Sequence, residues 1–315
     1  MTPSLATPIA PSTSRQDPHV AVPCALCGIH VPGQEIELYP ALAPSRSVSP
    51  VFAASTGVRG TTRIVRCREC DLVYVNPRLA DGAILDAYRQ SVDPLYVCQA
   101  DPRRRSFERN VRMVHRYAAP GRLLDVGCAA GYFLDAAQKA GWDAYGLDPN
   151  RDFIARAQER HGLAVFEGTL ATVPLEAGSF DVITMWDVLE HTTDPRAELR
   201  RAYALLRTGG LLFVNFPNIG SLLARLSGSS WWFLLSHHLY YFTPATLTRI
   251  LEGEGFGVIA RSRYWQTLEL GYLAGMARLY SEGAARGCER ILSATGLARR
   301  RLSYYAGQMT LVAAK

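Results

Sequence analysis

The chain has 315 residues, of which 48% are hydrophobic and 20% charged, and its formal net charge is +6. This length allows one large domain with a small appendage, and the composition is that of an ordinary globular protein. No run of about 18 apolar residues is present, which excludes a membrane-spanning helix. The first residues lack the apolar core of a secretory signal, so we expect a cytoplasmic protein.

The N-terminal quarter of the chain contains two Cys-x-x-Cys pairs. Residues 1–22 are rich in Pro, Ser and Thr and are predicted to form a disordered tail. Residues 23–80 are rich in Gly and Pro and carry the pairs, which predicts a small loop-rich module. An odd total of seven cysteines without a secretory signal favours a metal site over a disulfide framework.

The two pairs have the residue types and spacing of a structural zinc site. The four candidate ligands are Cys24, Cys27, Cys67 and Cys70. Four thiolates complete a tetrahedral Zn²⁺ site and leave no open position for water, so the metal would be structural and would stabilise a module with a small core. The alternative is four free thiols in the core of the module.

Helices and strands are expected to alternate along the rest of the chain. Residues 81–118 have helical periodicity and are predicted to form a linker, and residues 119–315 are predicted to form the main domain. Strands are expected at 122–127, 143–148, 164–166, 180–185 and 211–216, with helices at 131–140, 150–161 and 195–206 between them. Such alternation indicates an α/β fold with a mostly parallel sheet, which binds ligands at the carboxyl ends of its strands.

The C-terminal third adds further elements after an aromatic-rich connection at 217–243. We expect a helix at 244–254, strands at 256–265 and 307–314, and a helical insertion at about 268–298 between those two strands. The apolar face of the insertion could cap a ligand site, form a dimer contact, touch a membrane surface or pack on the domain's own core.

A glycine turn follows the first of these main-domain strands. Gly127-x-x-x-Gly131 differs from the G-x-G-x-x-G turn that holds a dinucleotide pyrophosphate. Asp125 precedes the turn and would repel a pyrophosphate but would suit a zwitterionic amino-acid group. Asp148 lies 23 residues after Asp125, at the end of the next strand, and this spacing is typical of a carboxylate that holds ribose hydroxyls.

Four successive segments carry a family resemblance. DVGCAAGYFL, YGLDPN, FDVITMWDVLEH and LLRTGGLLFVNFPN resemble, in order and spacing, the motifs of class I S-adenosylmethionine-dependent methyltransferases. The resemblance implies a Rossmann-like seven-stranded sheet whose last strand is antiparallel. It implies that the cofactor contacts Asp125, Gly127, Cys128, Ala129, Gly131, Asp148, Pro149, Thr169, Leu170, Trp186 and Asp187. Two positions depart from the motifs, since Ala129 replaces a commoner glycine and Thr169 a commoner acidic residue.

The cysteine module resembles a subgroup of that family. CRECDLVYVNPRL and HLYYFTPATLTRILEGEGF resemble segments of bacterial methyltransferases with zinc-knuckle leaders, some of which methylate sugars or other cell-envelope and natural-product precursors. The resemblance implies a small-molecule or glycan acceptor and O- or C-directed methylation.

Two histidines are candidates for a general base. His191 follows a strand end, and His238 lies in the aromatic-rich connection before a helix. A base would assist transfer to a hydroxyl or an acidic C–H group. For each histidine the alternative is a structural hydrogen bond, and the nearby aromatic residues could line an acceptor pocket or belong to the core.

Other classes of function were weighed against this one. Zinc and positive charge would suit an RNA or protein methyltransferase, but WDVLEH lacks the Asn/Asp-Pro-Pro-aromatic loop of enzymes that methylate amide or base nitrogens, so nucleic acid is disfavoured. The turn spacing argues against a nicotinamide-dependent oxidoreductase. The intact Asp125, Gly127, Gly131 and Asp148 argue against a non-catalytic zinc-containing adaptor.

Overall fold

The computed structural model describes residues 19–29, 33–41, 62–91, 96–97 and 99–315. Most of the expected tail at 1–22 lies outside these residues. Its last residues are already paired, because strand β1 (His19–Val20) runs antiparallel to β5 (Arg78–Leu79). The N-terminal region also contains β2 (Glu35–Tyr39), β3 (Ile64–Cys67) and β4 (Val73–Val75).

The main sheet has seven strands. They are β6 (Arg122–Val126), β7 (Asp143–Asp148), β8 (Ala164–Glu167), β9 (Phe180–Trp186), β10 (Leu206–Pro217), β12 (Gly257–Glu269) and β13 (Arg301–Ala314). Their order is β12-β13-β10-β9-β6-β7-β8. The pairs on the β8 side of β10 are parallel, whereas β13 is antiparallel to both of its neighbours. The predicted seven-stranded sheet with an antiparallel last strand is therefore confirmed.

Helices flank and connect these strands. They are α1 (Asp81–Gln90), α2 (Ala100–Val114), α3 (Tyr132–Lys139), α4 (Arg151–His161), α5 (Pro195–Leu205), α6 (Leu222–Ser227), α7 (Pro244–Gly253), α8 (Leu270–Met276) and α9 (Glu282–Ala294). Side-chain caps explain several starts: Asn150, Asp194 and Thr243 each accept a backbone N–H of the first turn. None of the helices in the described part of the chain is long and apolar enough to cross a membrane.

Three strands are longer than the periodicity predicts. β10 begins at Leu206 rather than 211, with a register shift against β9 that accommodates the glycine pair 209–210. β12 and β13 extend to Glu269 and back to Arg301, because they continue to pair with each other as a two-stranded ribbon beyond the rest of the sheet. The predicted insertion therefore begins at α8 and ends before residue 301.

The cysteine module shares its sheet and core with the main domain. A second sheet has the order β11-β4-β3-β2, and its outer strand β11 (Tyr240–Tyr241) comes from the aromatic-rich connection. Arg249 of α7 donates a hydrogen bond from Nη1 to the Cys70 carbonyl at 3.2 Å. One continuous buried cluster joins cysteines and Leu72 of the module to Leu239 and Phe242 of the main domain. The module is thus built into the larger domain.

Candidate active site

A cavity of about 1430 Å³ opens at the carboxyl ends of β6, β7 and β9. It is larger than a typical single-ligand site of roughly 300–1,000 Å³, so it has room for two molecules side by side. Ten of the sequence-predicted residues line it: Gly127, Ala129, Asp148, Pro149, Thr169, Leu170, Trp186, Asp187, His191 and His238. Asp125, Cys128 and Gly131 do not line the cavity. Their predicted contact with the cofactor therefore stays a prediction.

The glycine turn has a backbone that requires its glycines. Gly127 has φ +70°, and a Cβ there would lie 2.6 Å from Val188 Cγ2. Gly131 has φ +77°, and a Cβ there would overlap Leu163. The backbone N–H of Gly127 donates to the Leu147 carbonyl at 2.8 Å, which holds the turn against β7. Gly131 therefore supports the packing of α3, whereas Gly127 borders the cavity.

Asp148 presents a buried carboxylate at the end of β7. Its oxygens accept the backbone N–H groups of Ala129 at 2.9 Å and Asn150 at 2.8 Å. Burial raises the pKa of Asp148 to about 6, against the lowering effect of these two hydrogen bonds. The Asn150 side chain donates to the carbonyl of Ser91 at 2.7 Å and so joins this loop to the end of α1. A carboxylate fixed in this way can accept hydrogen bonds from hydroxyl groups such as those of a ribose.

Asp125 lies inside the sheet, one strand away. It is 2% exposed and accepts a hydrogen bond from Thr184 Oγ1 at 2.6 Å. Burial raises the pKa of Asp125 to about 8. Cys128 is also buried, and its Sγ would lie 2.8 Å from a Cβ at Gly146. Both side chains thus support the turn from behind, and neither residue is among those that line the cavity.

Trp186 and Asp187 mark the middle of the cavity at the end of β9. Asp187 has φ +54°, and its Oδ1 accepts Asn215 Nδ2 at 2.7 Å and Gln308 Nε2 at 2.6 Å. Burial raises the pKa of Asp187 to about 6. Trp186 packs against Phe133, and its Nε1 has no hydrogen-bond partner among the described residues. The carboxylate of Asp187 is therefore fixed at the end of β9, where it lines the cavity.

The opposite end of the cavity is lined by histidines. His191 Nδ1 lies 2.7 Å from the Tyr88 hydroxyl and 3.1 Å from the His237 carbonyl oxygen. His238 Nδ1 lies 2.8 Å from the Phe233 carbonyl oxygen. Burial lowers the pKa of His191 to about 4 and also lowers the pKa of His238. Both imidazoles are therefore neutral near pH 7, and each keeps one ring nitrogen with a lone pair.

Three lining residues at this end were not singled out by the sequence analysis. Tyr88, Glu190 and His237 all border the cavity. Tyr88 belongs to the apolar stripe of α1, which gives no sign of its contact with a residue 103 positions later. The aromatic residues of the connection divide between the two expected roles, since Trp231 is buried in the core whereas Trp232 lines the cavity.

The four module cysteines converge at one point. Cys24 Sγ lies 3.3 Å from Cys70 Sγ, and Cys27 Sγ lies 3.6 Å from Cys67 Sγ. All four sulfurs lie within 4.8 Å of one another. A tetrahedral zinc with Zn–S bonds of about 2.3 Å would hold its sulfurs about 3.8 Å apart. The cluster therefore has the donor set and dimensions of a four-cysteine zinc site.

Comparison with known proteins gives a consistent picture. The profile of a family described as "Methyltransferase domain" matches residues 102–261, just over half of the chain. A ubiquinone biosynthesis O-methyltransferase of Methylococcus capsulatus is 34% identical over 110 residues, which are 33% of this chain and 46% of that protein. A probable S-adenosylmethionine-dependent methyltransferase of Mycolicibacterium smegmatis is 31% identical over 170 residues, 53% of this chain and 62% of that protein.

The chain thus spans about half to two thirds of the length of these relatives. Among solved structures, an S-adenosylmethionine-dependent methyltransferase of Archaeoglobus fulgidus has a TM-score of 0.49 and 21% identity, and the match covers 71% of this chain and all of that one.

Proposed function

This chain belongs to the methyltransferase-domain family, and from that premise we propose that it transfers the methyl group of S-adenosylmethionine to a hydroxyl group of a small-molecule acceptor. One observation carries the proposal: a single cavity is lined both by the buried carboxylate of Asp148 and by the neutral imidazoles of His191 and His238. The relatives named ubiquinone biosynthesis O-methyltransferases support the choice of a hydroxyl acceptor.

The residues at the β7 end fit the cofactor. Asp148 would accept the ribose hydroxyls, and Pro149, Thr169 and Leu170 would border the adenine. When bound, the cofactor supplies an electrophilic methyl group on a positively charged sulfur. Asp187 would face that charge through the carboxylate oxygen that Asn215 and Gln308 leave open. Asp125 would support the turn from within the sheet.

The residues at the histidine end would prepare the acceptor. The reaction forms a bond between the acceptor oxygen and the methyl carbon as the bond from sulfur to that carbon breaks, and the hydroxyl must lose its proton. We assign His191 and His238 to assist this loss. The walls made by Trp232 and Phe233 would orient the acceptor and exclude water.

We also propose the finer division of the chain. Residues 23–80 would form a module that holds a structural zinc at Cys24, Cys27, Cys67 and Cys70. Residues 81–118 would link it to the methyltransferase domain at 119–315. The acceptor class includes sugars, which the resemblance of the module to zinc-knuckle leaders favours.

Calorimetric titration with S-adenosylhomocysteine tests the cofactor half of the proposal. We expect micromolar binding by the wild type and a loss of at least about tenfold in Asp148→Ala, since the ribose hydroxyls lose a charged acceptor. Asp143→Ala is the matched control, because Asp143 begins the same strand but is exposed and faces Arg122. Folded wild-type protein that does not bind would contradict the proposal. Once cofactor binding is established, a screen of hydroxylated acceptors, with nucleotide sugars and phenols as its two arms, tests the proposed acceptor class.

A further inference from the structure

Three histidines meet in the acceptor half of the cavity. His191 ends a short turn after β9, and His237 and His238 lie just before β11. Their rings pack closely, with centroids 4.7 to 5.1 Å apart. One ring nitrogen from each lies within 4.8 Å of the other two. Apart from the four-cysteine cluster, this is the one other such group of potential metal ligands within the described residues.

Hydrogen bonds from Nδ1 orient two of these rings, and the other ring nitrogen, Nε2, keeps its lone pair. The Phe233 carbonyl can only accept, so His238 Nδ1 carries the proton and Nε2 has the lone pair. His191 Nδ1 lies 3.1 Å from the carbonyl of His237 and 2.7 Å from the Tyr88 hydroxyl. That hydroxyl donates to the same carbonyl at 3.3 Å and can accept from His191, so a proton on Nδ1 fits both contacts. An imidazole that donates from one nitrogen to a carbonyl and keeps the other for a cation is the usual arrangement of a metal-ligating histidine.

The neighbouring turn contains a buried acid. Glu190 is 1% exposed and lines the same cavity, and neither of its side-chain oxygens has a hydrogen-bond partner among the described residues. Buried side-chain oxygens without a partner are costly. A cation bound in the same cavity would give these oxygens a partner.

We propose that His191, His237 and His238 hold a divalent d-block cation such as Zn²⁺ or Co²⁺, with an open position toward the acceptor. Imidazole nitrogens suit these ions, and three protein ligands with a free fourth position form the catalytic rather than the structural type of site. Bonds of about 2.0–2.1 Å would place the nitrogens about 3.4 Å apart, which small rotations of the rings can reach.

The proposal rests on the proposed function and specifies how the histidines assist it. The acceptor hydroxyl would bind the cation, which lowers the pKa of the hydroxyl so that its proton passes to solvent. The resulting oxygen anion then forms the bond to the methyl carbon, and the electron pair of the breaking bond stays on the sulfur. The cation is unchanged at the end of the reaction.

Cobalt titration of the full chain, with zinc already bound at the cysteines, tests the site without acceptor or cofactor. Calorimetry should show that one further Co²⁺ binds per chain. The absorption spectrum should lack the thiolate-to-cobalt band that replacement of the zinc would produce. His238→Asn should weaken this binding by about tenfold or more, because asparagine can keep the hydrogen bond to Phe233 but has no Nε2. His191→Asn is a second variant of the same design.

His161→Asn is the matched control, because His161 lies outside the three-histidine group and its Nδ1 is 3.5 Å from Asp135 Oδ1. The substitution at His161 should leave the cobalt affinity unchanged. Each variant is first shown to bind S-adenosylhomocysteine as the wild type does, which establishes that it is folded and keeps this test separate from that of the proposed function. Failure of the wild type to bind further Co²⁺, or a cobalt affinity in both histidine variants equal to that of the wild type, would overturn the proposal.

Discussion

Three buried carboxyl groups, at the cavity or behind it, have a cost in stability. Asp125, Asp148 and Asp187 are each placed at the end of a central strand, and burial raises the pKa of each. A carboxyl whose folded pKa lies above its unfolded value makes the protein less stable as the pH rises between the two values. For Asp125 this range runs from about 4, the usual value, to about 8.

Asp125→Asn should therefore stabilise the cofactor-free protein, and increasingly so as the pH rises. Asparagine keeps an oxygen for Thr184 Oγ1 but carries no charge. The difference in unfolding free energy between variant and wild type should grow by up to about 1.4 kcal/mol per pH unit. Denaturant unfolding at pH 6 and pH 8 measures it. Asp148 and Asp187 titrate in both proteins, and the charge of Asp148 also helps to raise the pKa of Asp125. A difference that is constant or shrinks toward pH 8 would contradict the assignment.

The sequence identifies these acids more readily than their surroundings. Asp148 is the last residue of β7 and is followed by a proline, and Asp125 is the second-last residue of β6, before the glycine turn. The sequence cannot tell that Asp125 faces Thr184 whereas Asp148 faces the cavity, because each is an acid close to the end of a short apolar strand. Glu190 is hidden for another reason: the segment that meets its turn is distant in sequence, since the Leu239 N–H donates to the Glu190 carbonyl at 2.8 Å from 49 positions along the chain.

At the scale of elements, the cysteine module and the histidines are joined by a pair of short strands. Cys70 precedes β4, which pairs with β11 through Tyr74 and Tyr240. The Val75 N–H donates to the Leu239 carbonyl at 2.9 Å, one residue after His238. A metal that fixes the cysteine knuckles would thus also fix the backbone that carries His237 and His238. No periodicity reveals a two-residue strand whose partner lies more than 160 residues away, so this connection could not be predicted.

Cys70→Ser should loosen the acceptor end and leave the cofactor end intact. Loss of a thiolate ligand weakens the zinc site, and β4 then holds β11 less firmly. Hydrogen exchange should increase at residues 232–241 and stay unchanged at 122–148, while affinity for S-adenosylhomocysteine stays within about threefold, or less than 1 kcal/mol. Cys288→Ser, at an exposed cysteine of α9, should change neither. Equal protection of 232–241 in both variants would show that the module does not position the histidines.

At the scale of the whole molecule, the sheet and the insertion serve different parts of the cavity. The parallel strands of the main sheet place the predicted cofactor residues at one edge, and this arrangement follows from strand order and is foreseeable from the alternating pattern. The insertion leaves the sheet between Glu269 and Arg301, the last pair of the β12–β13 ribbon. Its residues Tyr272, Met276 and Tyr280 line the cavity, so of the roles considered for it, that of a cap has direct structural support.

Replacing residues 270–300 with Asn-Gly should open the acceptor end without unfolding the domain. Glu269 and Arg301 are already paired antiparallel, and Asn-Gly forms the tight turn that suits such a ribbon. We expect affinity for S-adenosylhomocysteine to change by less than about threefold, because Asp148 and the glycine turn lie outside the deletion. The KM for an accepted substrate should rise by at least about tenfold, since the acceptor loses a wall that buries it.

Tyr280→Phe tests whether the insertion must be held against the aromatic-rich connection or only needs to be present. This substitution removes the hydrogen bond from the Tyr280 hydroxyl to the Ser230 carbonyl, 2.7 Å long, and keeps the apolar ring. Its KM should lie between those of the wild type and the deletion, because the cap is retained but less firmly held over the connection that carries His237 and His238. A deletion that leaves KM unchanged would instead mean that the acceptor contacts only residues 186–241. The insertion would then not contribute to acceptor binding.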